Sequence, residues 1–123
     1  MRKLLLEKNG YYVFEASTAS EGLRLFLSHS VDAVIVDYQL PTVNGAALAA
    51  EMKMLKPHVP IMLLSSYGPL PAAKLKAVDS FLPESQPPRV LLSTLQDMLN
   101  GWSKPFFYQW LDQWKHRNPG AKV

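Results

Sequence analysis

The sequence contains no cysteine, which excludes a disulfide framework and any metal site built on thiolates. It also has no run of 18 apolar residues, and its first residues lack the apolar core and small-residue cleavage site of a signal peptide. We therefore expect a soluble, cytoplasmic protein. The 123 residues, 48% of them hydrophobic, suit one domain with a substantial core.

An excess of either charge is missing from most of the chain. Residues 1–100 carry equal numbers of basic and acidic side chains, so the net charge of +3 arises from residues 101–123. There, four basic side chains oppose a single acidic one. A basic tail on a neutral body does not indicate a basic, nucleic-acid-binding domain. For the aromatic, basic tail we expect packing in preference to contact with a partner protein; membrane-surface or single-stranded nucleic-acid binding is a less favoured alternative.

The most informative stretch is an apolar run that ends in a carboxylate. Residues 33–36 are apolar without polar alternation, which predicts a strand buried on both faces, as in parallel sheets. Asp37 follows at the carboxyl end of this strand, where open α/β sheets bind their ligands. Taken alone, Asp37 is equally compatible with a site residue and with a residue that starts a turn.

Strand and helix patterns alternate along the chain. Further strands are predicted over residues 11–16, 60–65 and 79–82. Helices are predicted over residues 2–8, from Thr18, from Asn44 to about Leu55, over residues 88–99, and at most briefly over residues 72–77. This order predicts βαβ units and a parallel sheet.

The loop after the buried strand has a specific spacing. Leu40, Pro41, Asn44 and Gly45 follow Asp37 at fixed intervals. Proline rigidifies such a loop, glycine permits a close backbone approach, and asparagine can cap the next helix. The pattern resembles the phosphoacceptor loop of response-regulator receiver domains, the Asp-phosphorylated modules of bacterial two-component signalling.

The resemblance covers about residues 1–100, from the end of the family's first helix to its fifth. It implies a flavodoxin-like α/β fold, with a parallel sheet and helices on both faces. The family's first, central strand has no counterpart here, and no acidic residue precedes Glu7. We therefore expect a receiver-like domain that lacks this strand and the acidic pair after it, followed over residues 101–123 by an aromatic, basic amphipathic helix.

The resemblance also implies roles for single residues. Asp37 takes the phosphoacceptor position, Ser65 the phosphoryl-sensing hydroxyl, and Phe81 the aromatic switch. The main-chain carbonyl of Gln39 matches the family's backbone ligand for the metal, which beside Asp37 alone makes a weak Mg²⁺ site. For Ser65 a strand-end cap, and for Phe81 ordinary core packing, are equally weighted alternatives.

Glu84 occupies the place of the family's lysine. A carboxylate there repels an incoming phosphoryl group. Glu84 is expected to be a solvated loop residue, in preference to a residue that helps to hold a cation. We expect impaired phosphotransfer, and Mg²⁺ is implied only if the site is competent.

The sequence thus predicts a non-enzymatic pseudo-receiver of a two-component phosphorelay that acts by protein–protein interaction. Its expected partner is a sensor histidine kinase or another signalling protein. One alternative is a phosphorylation-competent stand-alone receiver whose N-terminus is missing. Another is an oligomeric scaffold or peripheral membrane adaptor that uses the aromatic tail. We also expect a homo-oligomer, because the missing strand leaves a bare sheet edge.

Overall fold

The computed structural model describes residues 2–66 and 70–101, in which helices and strands alternate. The helices are α1 (Arg2–Lys8), α2 (Ala19–Ser28), α3 (Gly45–Leu55) and α4 (Pro88–Leu99), and the strands are β1 (Val34–Asp37), β2 (Ile61–Ser65) and β3 (Ser80–Pro83). A single 3-10 turn, Ala72–Leu75, replaces the short helix predicted after β2. The extra helix predicted for the tail lies outside the described residues.

The three strands form a parallel sheet in the order β1-β2-β3. The central strand β2 is buried along its whole length. Side chains of a strand point alternately to the two faces of a sheet, so an unbroken apolar strand needs a cover on both. The strand β2 meets this requirement. Residues 33–36, for which the sequence predicts a strand buried on both faces, do not: Val34 and Ile35 are only partly buried, and among residues 2–66 and 70–101 β1 lies at an edge of the sheet, so that prediction is wrong.

Two apolar clusters cover the two faces. Met62 and Leu64 of β2 pack with Leu6 of α1 and with the apolar side of α4. Ile61 and Leu63 pack on the opposite face with α2 and α3. The α2 and α3 side chains in this second cluster are Phe26, Leu48, Ala49 and Met52. The prediction of helices on both faces is confirmed.

The prediction of a strand over residues 11–16 is wrong. The segment contains only an isolated bridge at Tyr12. Its aromatic and β-branched composition favours a strand, but a strand also needs a hydrogen-bonding neighbour. Tyr11 instead buries its ring against the cluster that contains Leu6, and its N–H donates to the Leu6 carbonyl at 3.1 Å.

A cleft of about 200 Å³ lies between residues 13–16 and β1. Leu6 of α1 lines it, as does Phe26, which belongs to the cluster on the opposite face of the sheet. Within residues 2–66 and 70–101, β1 is an edge strand of a three-stranded sheet. The cleft therefore runs along a sheet edge between apolar walls, consistent with the expected lack of a central strand.

Candidate functional site

The carboxyl ends of the three strands bring the predicted site residues to one edge of the sheet. Asp37 lies beside Leu64 in the register of β1 and β2, and Ser65 lies beside Pro83 in that of β2 and β3. Ser65 is completely buried. Glu84 is the first residue after β3. Its N–H donates to the Ser65 carbonyl at 2.9 Å, so the chain after β3 stays close to the site.

Asp37 is paired with a basic residue of the first helix. Its Oδ2 accepts a hydrogen bond from Nη2 of Arg2 at 2.8 Å, and the two side chains are 33% and 44% exposed. The second carboxylate oxygen, Oδ1, is buried and has no hydrogen-bond partner among the described residues. Asp37 therefore has one oxygen engaged by a cation and one that retains its capacity to accept.

Tight packing fixes the loop between Asp37 and α3. Asn44 caps the helix, since its side-chain oxygen accepts from the Ala47 N–H at 2.8 Å. The Gly45 N–H donates to the Tyr38 carbonyl at 2.8 Å. A Cβ atom at residue 45 would clash with the backbone oxygen of Asp37. No side chain fits there without movement of the loop, whereas Pro41 is exposed on the outer part of the same loop.

Gln39 makes a contact that the sequence pattern did not indicate. Its side-chain Nε2 donates to Oγ of Ser66 at 2.9 Å, which links the loop after β1 to the residue after β2. The two residues are 27 positions apart, so no local spacing signals the bond. The role of the Gln39 main-chain carbonyl as a metal ligand stays a prediction.

Phe81 and Glu84 occupy different environments. Phe81 is partly buried and packs against the cluster on the α2 and α3 face, whereas the Glu84 side chain is exposed. The first position is compatible with core packing and the second with a solvated loop residue. The switch role of Phe81 and the sensing role of Ser65 stay predictions.

The residues around Asp37 do not fit a divalent-cation site. Within residues 2–66 and 70–101, no three His, Cys, Asp or Glu side chains gather as a ligand cluster. Mg²⁺ requires near-octahedral oxygen coordination, usually through one or two carboxylates and several waters. Here a guanidinium already engages one oxygen of the carboxylate. The pattern of the sequence predicted α1, but it contained no signal that Arg2 would reach Asp37.

A second ion pair lies at the opposite end of the sheet. Lys53 approaches Oδ2 of Asp79 at 2.6 Å, and the same oxygen accepts from the Ile61 N–H at 2.8 Å. Because Ile61 begins β2, this pair secures the amino ends of the strands. Asp79 is therefore structural and separate from the edge that carries Asp37.

The fold and the site define an α/β domain with a carboxylate and a buried hydroxyl at the carboxyl edge of a parallel sheet, as in flavodoxin-like signalling domains. Residues 1–82 match the family described as response regulator receiver domain. The chain belongs to this family, and it is a receiver domain of two-component signalling.

Relatives and solved structures support the assignment. The chain is 30% identical over 119 residues to the transcriptional regulatory protein GlrR of Escherichia coli, covering 94% of this chain and 27% of GlrR. It thus spans about a quarter of that relative's length. A CheY-like receiver domain of Methanospirillum hungatei superposes with a TM-score of 0.76 at 28% identity, over 81% of this chain and 82% of that one.

A further similar structure was solved with a ligand. The response regulator TrrA of Thermotoga maritima, in complex with Mg²⁺-BeF, superposes with a TM-score of 0.72 at 28% identity. The match covers 80% of this chain and 88% of TrrA.

Across the described part of our chain, none of the helices has both the length and the apolar character that crossing a membrane demands.

Proposed function

We propose that this domain is a pseudo-receiver, in which Asp37 holds the phosphoacceptor position and signalling proceeds by protein–protein interaction without a phosphorylation-driven switch. The observation that carries this proposal is the composition of the site. The described residues provide no cluster of three metal-ligand side chains, and Glu84 stands where the family has its lysine. The described residues therefore offer neither the metal-ligand cluster nor the lysine with which the family holds the charge of an incoming phosphoryl group.

The chemistry of aspartyl phosphorylation explains why these replacements matter. The carboxylate attacks in line, while a cation and basic donors hold the charge that spreads over the phosphoryl oxygens. Asp37 alone supplies a nucleophile without this support. Electrostatic stabilisation of the transition state is usually the largest contribution to such reactions, so its loss impairs phosphotransfer severely.

Phosphoryl analogues test the proposal directly. We expect acetyl phosphate, or beryllofluoride with Mg²⁺, to leave the amide NMR signals near Asp37 and Ser65 almost unchanged, because the site cannot gather the added negative charge. The matched control is Asp37→Asn, which removes the nucleophile. Saturable shifts in the wild type that vanish in this variant would overturn the pseudo-receiver proposal.

A charge substitution sharpens the same experiment. Glu84→Lys restores the basic residue without restoring the metal site. We expect only a slight gain in analogue binding, since one exposed ammonium cannot replace a divalent cation at the reacting oxygens. Full competence in Glu84→Lys would show instead that the lysine alone was missing.

Membership of the receiver family supports a cytoplasmic, non-enzymatic signalling role with a sensor histidine kinase or another signalling protein as partner. The edge of the sheet favours self-association as a second interaction. β1 pairs with β2 on one side, and on its other side it presents backbone groups to an apolar cleft, with no further strand there among residues 2–66 and 70–101. Bare edges of this kind recruit other strands, so we include a homo-oligomer in the proposal.

A further inference from the structure

Arg2 and Asp37 join two elements that are otherwise held together by apolar contacts. Arg2 is the first residue of α1 and Asp37 the last residue of β1, 35 positions later. Along α1, Leu6 is the single buried side chain among the described residues of the helix, while Leu4 is exposed. The start of α1 is thus attached to the sheet through the ion pair, and its end through Leu6.

The charge of Arg2 is fixed under physiological conditions. A guanidinium stays protonated at any physiological pH, and its planar donors match a carboxylate. Asp37 is partly buried, and a partly buried carboxylate is costly without a counter-charge. Arg2 supplies that charge at 2.8 Å.

A divalent cation and Arg2 compete for the same carboxylate. Arg2 already holds Oδ2, and a cation at either oxygen would place two like charges within a few ångströms of each other. In the described part of the chain, no group of three His, Cys, Asp or Glu side chains gathers at Asp37 to offset this repulsion. The pair and a bound cation therefore exclude each other to a measurable degree.

We propose that Arg2 is the built-in counter-ion of Asp37, which takes the place of a divalent cation at this carboxylate and latches α1 to the carboxyl edge of the sheet. Arg2 is in this sense a positioning residue. The inference rests on the proposed function only in that Asp37 is the site residue. The coupling is reciprocal. A ligand that binds Asp37 in place of Arg2 weakens the attachment of the start of α1 to the sheet, and a weaker attachment of α1 makes the Asp37 carboxylate more accessible to such a ligand.

Titration with Mn²⁺ tests the competition. Paramagnetic broadening of the amide signals of Tyr38 and Ser65 reports Mn²⁺ at Asp37. We expect Arg2→Gln to bind Mn²⁺ about two- to fivefold more tightly than the wild type, the range for a partly exposed ion pair. The control is Lys8→Gln, which removes the same charge from the same helix about 9 Å further along its axis. Equal tightening in both variants, or none in either, would overturn the proposal.

A double-mutant cycle tests the latch without any metal. We expect Arg2→Gln and Asp37→Asn each to accelerate hydrogen exchange of the α1 amides about two- to fivefold, and the double variant to add nothing further. Lys8→Gln combined with Asp37→Asn should show additive effects. Additivity in the Arg2 cycle would show that the two side chains act independently and would refute the latch.

The two proposals fail in different experiments. Saturable beryllofluoride shifts in the wild type would overturn the pseudo-receiver proposal and leave the Arg2 cycle unaffected. Conversely, additive effects in the double-mutant cycle of Arg2 and Asp37 would refute the proposed role of Arg2. The pseudo-receiver proposal would stand, because it depends on the metal ligands and the lysine. Arg2→Lys, which keeps the charge but not the planar fork, should retain part of the coupling in either case.

Discussion

Gly45 shows how a single residue controls the geometry at Asp37. Its backbone lies so close to Asp37 that an added Cβ would collide with the Asp37 main-chain oxygen and with a methyl group of Val36. Neither neighbour can move freely, because both belong to β1 in the sheet. A glycine at the start of α3 is therefore a condition for the position of the loop that follows Asp37.

A pair of glycine substitutions tests this contact. Gly45→Ala should lower the free energy of unfolding by about 1–3 kcal/mol, the usual cost of inserting an atom into a packed site. The control is Gly22→Ala in α2, where the new Cβ would meet the Cβ of Ala16 at 3.6 Å, an ordinary contact. There, we expect a gain of about 0.5–1 kcal/mol, because alanine is the better helix former. Urea unfolding measures both, and equal effects in the two variants would contradict the argument.

At the scale of elements, Tyr11 joins the extended segment after α1 to the last helix. Its N–H donates to the Leu6 carbonyl, and its ring packs in the cluster that contains Leu95 and Met98 of α4. Burial raises the pKa of the Tyr11 hydroxyl above its usual value, and a hydrogen bond with Gln96 lowers it in part. The segment that fails to become a strand is thus anchored by one aromatic residue.

The raised pKa of Tyr11 predicts a loss of stability in strong alkali. Below the ordinary pKa of about 10, tyrosine is neutral in both the folded and the unfolded states and contributes no pH dependence. Above it, the unfolded chain loses the proton first, so stability falls as the pH rises toward the folded pKa. Tyr11→Phe should flatten this slope in urea titrations between pH 9 and 11, a range set by the ordinary pKa of about 10. Tyr12→Phe is the control, since Tyr12 is 68% exposed, and equal slopes in the two variants would refute the assignment.

At the scale of the whole molecule, the proposed self-association would use the edge of β1. The N–H groups of Val34 and Tyr38 donate to carbonyls of residues 60 and 64, on the β2 side. Neighbouring residues of a strand in a sheet alternate in the side to which their backbone groups point, so the N–H of Ile35 points away from β2. Among residues 2–66 and 70–101 no strand lies on that side of β1, so the carbonyl of an incoming strand can accept from this N–H at the cleft.

Two substitutions at Ile35 separate edge pairing from side-chain packing. Ile35→Pro removes the outward N–H, and proline is tolerated on an edge strand. Ile35→Ala removes most of the side chain but keeps the N–H. In sedimentation velocity, we expect the wild type and Ile35→Ala to associate at micromolar concentrations. Ile35→Pro should be shifted toward monomer, while its circular dichroism spectrum remains that of a folded protein. A stable wild-type monomer would show that the edge is closed within one chain.

Helices, strands and helix caps could be predicted because the sequence patterns that specify them span only a few neighbouring residues. The uninterrupted apolar run of β2, the Asn44 cap and the Thr18 cap, whose side chain accepts from the Glu21 N–H at 3.2 Å, each depend on residues a few positions apart. The position of Asp37 at a strand end followed from the same kind of pattern. The segment over residues 11–16 shows the limit, because composition favours a strand but only a neighbouring strand can supply its hydrogen bonds.

The sequence by itself determined the alternation of helices and strands, the receiver family and the position of Asp37 at the carboxyl end of a strand. It did so because periodicity, caps and loop spacing act over short distances along the chain. Only the tertiary structure decided that Arg2 meets Asp37, that Gln39 reaches Ser66, and that β1 borders an apolar cleft. These features depend on how separate elements pack, and residues 27 or 35 positions apart carry no local signal of their contact.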